Sequence, residues 1–346
     1  MLQLTFRSPR PRSAARAAAW GIVAAGLAAP LIRKRIKAPP LLTQTVAYAA
    51  PIGLCVAVRR SRARDVAVCA LQMWAYLAAY KSPNDDEQAQ SERVRIDYPI
   101  AVDRRLGLGE LPTVRLQRAL AKVGDDGPEW RNLDRVLVWA HWMWFMVPHG
   151  AIAYILVRKP REFPRAAVMT YSVFNLGAIV YWVLPTAPPW YAASMAGRAH
   201  EFDGQLTRPA PEPKAPDMND EGGHEIAVRR MMVEYGEFFW RDGWGPLYSV
   251  FGGNPLAAMP SLHFATSVMA ASLLSESEPV LGTLAWTYVL TLGFALVYLG
   301  EHYVVDLLAG VALTASVKRL EPRAGSALAL AGRGVAALEA WAQAAR

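Results

Sequence analysis

Two short runs of this 346-residue chain carry residue types that do chemistry. In "YLGEHYVVDLLAG" (residues 298–310), His302 and Asp306 stand at i and i+4 within a largely apolar stretch. On a helix they share one face. A carboxylate on one ring nitrogen fixes the imidazole tautomer and makes the other nitrogen a better nucleophile or base. An aspartate inside a membrane span is costly to leave unpaired, so it marks a functional partner or a water path. The bland alternative is a His–Asp brace for the helix end. The second run, "NPLAAMPSLHFATS" (residues 254–267), places Pro260 and Ser261 at a helix start and His263 in its first turn. Free N–H groups and the positive helix end make such a place an anion site. Ser261 can donate a hydroxyl proton to an oxyanion, and His263 can act as a general acid. One histidine attacking phosphorus while a second protonates the departing oxygen is phosphoryl-transfer chemistry.

The elements that must position these residues are apolar. Residues of the hydrophobic set make up 53% of the chain, with 12 tryptophans. They gather into blocks near the roughly 20 residues a membrane span needs. The blocks cover residues 20–32, 41–58, 65–80, 136–156, 166–185, 261–274, 280–299 and 303–320. The expected fold is an all-α polytopic transmembrane helical bundle of about six to eight spans. The basic residues before the first block resemble a signal peptide, but Arg33, Lys34, Arg35 and Lys37 follow it and further spans come after, so a retained span is expected. Cys55 and Cys69 fall in separate blocks, which suggests buried small hydrophobes and not a disulfide framework. The net charge of +8 is concentrated in arginines between spans, so it points to a membrane and away from nucleic acid.

The expected organisation is N-terminal transmembrane helices over 1–80 and a polar segment over 81–135. A catalytic core follows over 136–320, then a peripheral helix over 321–346. Within 81–135, Leu116, Ala119, Leu120 and Val123 fall at helical spacing, as in an interfacial amphipathic helix. Within the core, residues 190–258 form a long extracytoplasmic loop whose middle is too rich in proline and charge to pack alone. Its later part puts Val228, Met231, Met232, Tyr235 and Phe239 on one helical face, which suits either a lid or an ordinary surface helix. The alternation of spans brings "LPTAPPW" (residues 184–190), "PSLH" and "HYVVD" to one membrane face. The arginine distribution places that face away from the cytoplasm. The expected setting is the plasma membrane, crossed several times.

"PSLH" followed by "HYVVD" resembles the second and third signature motifs of the type 2 phosphatidic acid phosphatase superfamily. With "LPTAPPW", the pattern is most similar to its inositolphosphotransferase branch, the family of fungal inositol phosphorylceramide synthase. The resemblance covers residues 166–320. It implies a six-helix catalytic core working through a phosphohistidine, with His302 as nucleophile, Asp306 as its orienting carboxylate and His263 as general acid. Ser261, beside Pro260, would contact the phosphoryl oxygens. The chain departs from the phosphatase pattern. Leu296 stands where an arginine precedes the nucleophile, and no Lys or Arg occurs between Arg165 and Arg198. A phosphomonoester carries about −1.5 to −2 charge near neutral pH and calls for several cations, whereas a diester needs fewer. Headgroup transfer from a lipid phosphodiester such as phosphatidylinositol to a lipid or polyol alcohol, or to water, is therefore the favoured activity. A lipid phosphate phosphatase is the alternative enzyme, and a non-enzymatic membrane protein the alternative class. Among arginines able to supply a cation from the loops, Arg241 in "FFWRDGWG" is preferred over Arg104, Arg105 and Arg198. Trp190 and Tyr191 either shape the headgroup entrance or belong to an interfacial aromatic belt. His141 and His149 are read as packed or interfacial, and His200 and His224 as loop histidines. No metal or other cofactor is expected.

Overall fold

The computed structural model describes residues 11–82, 92–124, 127–194, 228–251 and 254–344. The proline-rich middle of the long loop, with Arg198, His200 and His224, lies outside them. The chain divides into two compact units, Met1–Asp85 with Lys318–Arg346, and Asp86–Val317.

In the first unit, α1 (Pro11–Ile36), α2 (Pro40–Ala57) and α3 (Arg62–Lys81) pack through small residues. A Cβ at Gly26 would sit 2.5 Å from that of Ala50, and Ala47, Ala75 and Ala78 are buried. Small side chains at such contacts let helices approach closely where lipid supplies no hydrophobic drive. Ser61 caps α3 by accepting the Arg64 N–H at 3.1 Å. The Arg64 guanidinium pairs with Glu339 at 2.7 Å.

The second unit begins with α4 (Asp97–Leu106) and α5 (Pro112–Leu120), followed by a hairpin of β1 (Lys122–Gly124) and β2 (Gly127–Glu129). The helix expected through Val123 ends at Leu120 instead. Its buried face is Thr113, Val114 and Gln117, while Ala119 is exposed. Gln117 is anchored there by its amide nitrogen, which donates to the Arg229 and Tyr298 carbonyls at 2.8 and 2.9 Å. Its amide oxygen accepts the Arg229 N–H at 2.9 Å. Leu116 and Leu120 are half-buried and pack against the same core, so the amide adds a polar anchor beside the leucines.

The long helices follow. α6 (Asn132–Trp142) and α7 (Met146–Arg158) are joined by a 3₁₀ turn at Met143–Phe145. Pro148 has no N–H for the Trp144 carbonyl, and the ladder tightens one turn before it. Then come α8 (Phe163–Val183), the short α9 (Pro189–Ser194), α10 (Met231–Trp240), α11 (Trp244–Phe251), α12 (Leu262–Ser277), α13 (Pro279–Tyr298) and α14 (Val304–Gln343). The last of these is one unbroken helix through Pro322, and its residues from Lys318 onward belong to the first unit.

Among the described residues, five helical stretches are long and apolar enough to cross a membrane: Arg12–Ile36, Pro40–Ala57, Asn132–Arg158, Phe163–Val183 and Pro279–Tyr298. The chain is a multi-pass, all-α membrane protein. α3, α12 and the start of α14, also expected as spans, are helices outside that set, and α12 has only 16 residues.

Candidate active site

Three distant loops meet at one end of the second unit. Thr186 bridges Arg95 on one side and Ala257 on the other, both in parallel. The Arg95 N–H donates to the Pro185 carbonyl at 2.8 Å, and the Thr186 N–H to the Leu256 carbonyl at 2.9 Å. The Trp190 N–H reaches the Gly300 carbonyl at 3.3 Å, and the Ser261 N–H reaches that of Asp306 at 3.0 Å. "LPTAPPW", "PSLH" and "HYVVD" are thus tied together by main-chain bonds.

Within this knot, His263 Nδ1 lies 3.0 Å from His302 Nε2. His302 Nδ1 lies 3.3 Å from Asp306 Oδ2. With Nδ1–H donated to the carboxylate, Nε2 holds the lone pair and accepts from His263 Nδ1–H. The approach depends on two glycines. Gly300 turns the chain between α13 and α14 at φ +82°, in the left-handed region that only glycine enters without strain. A Cβ at Gly310 would lie 2.8 Å from the Ser261 carbonyl oxygen, so its absence lets α14 close onto α12. Thr314 fastens the same contact, donating to the Ala265 carbonyl at 2.9 Å.

Pro260 follows a cis peptide bond, and its carbonyl accepts the Tyr181 hydroxyl at 2.8 Å. Ser261 is fully buried and caps α12 by accepting the Phe264 N–H at 3.3 Å. Capping uses an oxygen lone pair, so the hydroxyl proton is left to donate. The N–H groups of Leu262 and His263 are without a partner among the described residues.

The start of α14 is held by two carboxylates. Asp306 Oδ2 takes the Tyr303 N–H at 2.9 Å. Asp103 on α4, also fully buried, takes those of Val304 and Val305 at 2.7 and 2.9 Å. These are the orphan donors every helix exposes at its start, and negative charge is favoured there. Burial nonetheless pushes the Asp103 carboxyl up from 3.8 to about 6, with Asp306 adding to the rise and the two N–H groups opposing it. The folded protein therefore holds this proton more tightly than the unfolded chain does. The contribution is fully present below the unfolded value and is lost as pH rises through the folded one. The melting-temperature advantage of wild type over Asp103→Asn is expected to widen as pH falls from about 7.5 to about 5. An advantage that stays level or narrows would contradict the shift.

A second polar group borders the histidines. Arg230 pairs with Glu301 at 3.0 Å, donates to the Tyr248 hydroxyl at 2.7 Å and lies 3.8 Å over the Trp190 ring. Burial alone would raise the Glu301 carboxyl, but Arg230, with His141 nearby, holds it below its usual value. Arg230, which sequence reasoning missed, is thus the arginine attached to the loop carrying His302. Arg241 is exposed at the C-terminal end of α10. No contact among the described residues brings it to the two histidines. Trp190 lies under Arg230, while Tyr191 packs into the cluster formed by Ile96, Ile100 and Tyr303. Val228, Met231, Met232 and Tyr235 are buried as the amphipathic pattern predicts, but Phe239 is 46% exposed. His149 bonds the Phe145 carbonyl at 2.8 Å. His141 is packed, and its ring centre lies 5.1 Å from that of His263. Its spacing from His149 in the chain gave no hint of that neighbour. Among the described residues no group of three metal-binding side chains is arranged around an ion site.

A helical membrane bundle that closes a His–His–Asp chain over a helix start defines a class, and comparison with known proteins gives that class its family. The profile of the PAP2 superfamily matches residues 128–318, more than half of the chain. The chain belongs to that superfamily. It is also 30% identical over 178 residues to the inositol phosphorylceramide synthase catalytic subunit aur1 of Schizosaccharomyces pombe. That alignment takes in 48% of this chain and 37% of the yeast protein, so the chain spans little more than a third of its relative. No solved structure matches the chain.

Proposed function

We propose that this protein is a membrane phosphotransferase acting on a lipid phosphodiester through a phosphohistidine, with headgroup transfer from a donor such as phosphatidylinositol. The observation that carries the reading is the 3.0 Å contact between His263 Nδ1 and His302 Nε2, with Asp306 on the far side of His302. One hydrogen bond joins the lone pair that would attack and the proton that would be delivered. A phosphoryl group entering between the rings breaks that bond and uses both halves of it. His302 Nε2 attacks phosphorus in line, the bond from phosphorus to the lipid alcohol breaks, and His263, carrying a proton on each ring nitrogen, gives the one on Nδ1 to the departing oxygen and becomes neutral. In the second half an acceptor alcohol gives its proton to His263. Its oxygen bonds to phosphorus, and the P–N bond breaks. Asp306 compensates the positive charge that develops on His302.

Ser261 and the free N–H groups at the start of α12 supply donors to the non-bridging oxygens. Arg230 is the cation placed to contribute, in preference to Arg241. It already carries Glu301, which suits a substrate of single negative charge better than a monoester. The relative from Schizosaccharomyces pombe is named a synthase, which supports transfer over hydrolysis. The arginine-rich connections on the opposite side support a plasma-membrane site facing away from the cytoplasm. α10, seated by its buried methionines and Tyr235, is the candidate lid.

The test uses purified protein in lipid vesicles, wild type and His302→Ala, supplied with phosphatidylinositol, phosphatidate and a mixed pool of lipid alcohols. Mass spectrometry is expected to show a headgroup-exchanged lipid that disappears in the variant. Inorganic phosphate released from phosphatidate instead, and lost in the variant, would make the protein a phosphatase. Products undiminished by His302→Ala would end the phosphohistidine reading.

A further inference from the structure

His141 is the group in the site that the reaction above leaves unused. It projects from α6 and is only 6% exposed. Both of its ring nitrogens are buried without a hydrogen-bond partner among the described residues. Its ring centre is 5.1 Å from that of His263, which is itself 5.2 Å from that of His302. Glu301, His302 and Arg230 are all within electrostatic reach of it. Buried imidazoles normally satisfy at least one nitrogen, and an exception at a reactive centre calls for a missing partner. A purely packing role would be filled as well by phenylalanine, without the cost of desolvating two polar atoms.

We infer that His141 is a substrate-binding residue whose ring N–H donates to a non-bridging oxygen of the phosphoryl group held between His263 and His302. The inference rests on the phosphotransfer reading and extends it to a residue outside the two motifs. A neutral imidazole always keeps one N–H, so it offers a hydrogen bond without adding a full charge. That suits a phosphodiester monoanion, for which fewer cations are needed than the cluster that usually answers a dianion. The same N–H would follow the oxygen as the phosphorus becomes five-coordinate, so it would stabilise the transition state along with the N–H groups of α12. No proton is transferred to or from His141 in this scheme. The ring that attacks and the ring that protonates remain His302 and His263.

The test measures orthovanadate binding by calorimetry on the full-length detergent-solubilised protein, together with melting temperature. Vanadate takes the five-coordinate geometry of the reacting phosphorus, and its binding does not require the true lipid to be known. Wild type is expected to bind it and His302→Ala to lose it. His141→Phe is expected to bind about tenfold or more weakly, the loss of a hydrogen bond to an anion. It should melt at or above the wild-type temperature, because two unsatisfied nitrogens are gone. His141→Gln keeps an N–H donor and is expected to recover part of the binding. Binding in His141→Phe equal to wild type would overturn the inference and leave the phosphotransfer reading standing. Weaker binding with a matching fall in melting temperature in both variants would make His141 a packing residue and overturn it too. Vanadate binding that is absent from wild type, or untouched by His302→Ala, would remove the phosphotransfer reading and this inference with it.

Discussion

An Asp306→Asn variant is expected to lose about four orders of magnitude in turnover, the size of effect seen when the carboxylate of a catalytic triad becomes an amide. Asp306 Oδ2 serves two donors, His302 Nδ1 at 3.3 Å and the Tyr303 N–H at 2.9 Å. Asparagine has one oxygen and would give it to the fixed main-chain N–H. The amide NH₂ would then face His302 Nδ1 and force that nitrogen to accept. The ring proton would move to Nε2, the atom proposed to attack phosphorus. The wrong tautomer, and not a lost contact, is the cause of the fall. Stability should change little, because the cap on Tyr303 survives and Asp306 Oδ1 has no partner to lose among the described residues. Turnover of the exchanged lipid and melting temperature should therefore separate. A loss of less than tenfold would remove His302 from the role of nucleophile.

Arg230→Ala should have its large effect on stability. Its guanidinium is 25% exposed, and the Glu301 carboxylate it faces only 10%. Removing one partner of a buried pair leaves a charge that neither water nor protein compensates, a loss of about 3 kcal/mol. The reverse change, Glu301→Gln, is expected to be much milder. Arg230 keeps the Tyr248 hydroxyl at 2.7 Å and the face of Trp190 at 3.8 Å, and it reaches solvent. Combining Arg230→Met with Glu301→Gln should return most of the stability, since two apolar or neutral groups need no compensation. Activity should stay low in the double variant, because the cation proposed to meet the phosphoryl group is gone. Melting curves of the three proteins check the first part, and lipid turnover the second. A double variant as unstable as Arg230→Ala would mean that the ion pair is not what stabilises the loop.

The parts of this molecule that could be read from its sequence are the ones written in local pattern. Helix boundaries such as Pro279–Tyr298 follow from runs of apolar residues ended by turn signals. His302 and Asp306 follow from a spacing that any helix converts into a shared face. His263 follows from its place beside a helix start. The alternation of spans then sufficed to bring the motifs to one end. What could not be read depends on partners far away in the chain. Gln117 looks like a polar residue on an interfacial helix until the carbonyls of Arg229 and Tyr298 are set beside it. Asp103 stands before Arg104 and Arg105, where a carboxylate reads as a surface charge, yet it is fully buried. Arg230 is not among the arginines the loops single out, Arg104, Arg105, Arg198 and Arg241, because nothing in its local sequence marks it. Only the ion pair with Glu301 shows which arginine reaches the loop of His302.

The cap that Asp103 places on Val304 and Val305 bears on what can be exchanged between relatives. The superfamily match begins at residue 128, downstream of both Asp103 and Gln117. A chimaera cut at that boundary would inherit both histidines and Asp306 intact. The first N–H groups of α14 would nonetheless meet whatever the recipient has in place of α4. The smallest portable piece of this protein is therefore longer than its recognisable signature, and it must start no later than the helix that carries Asp103.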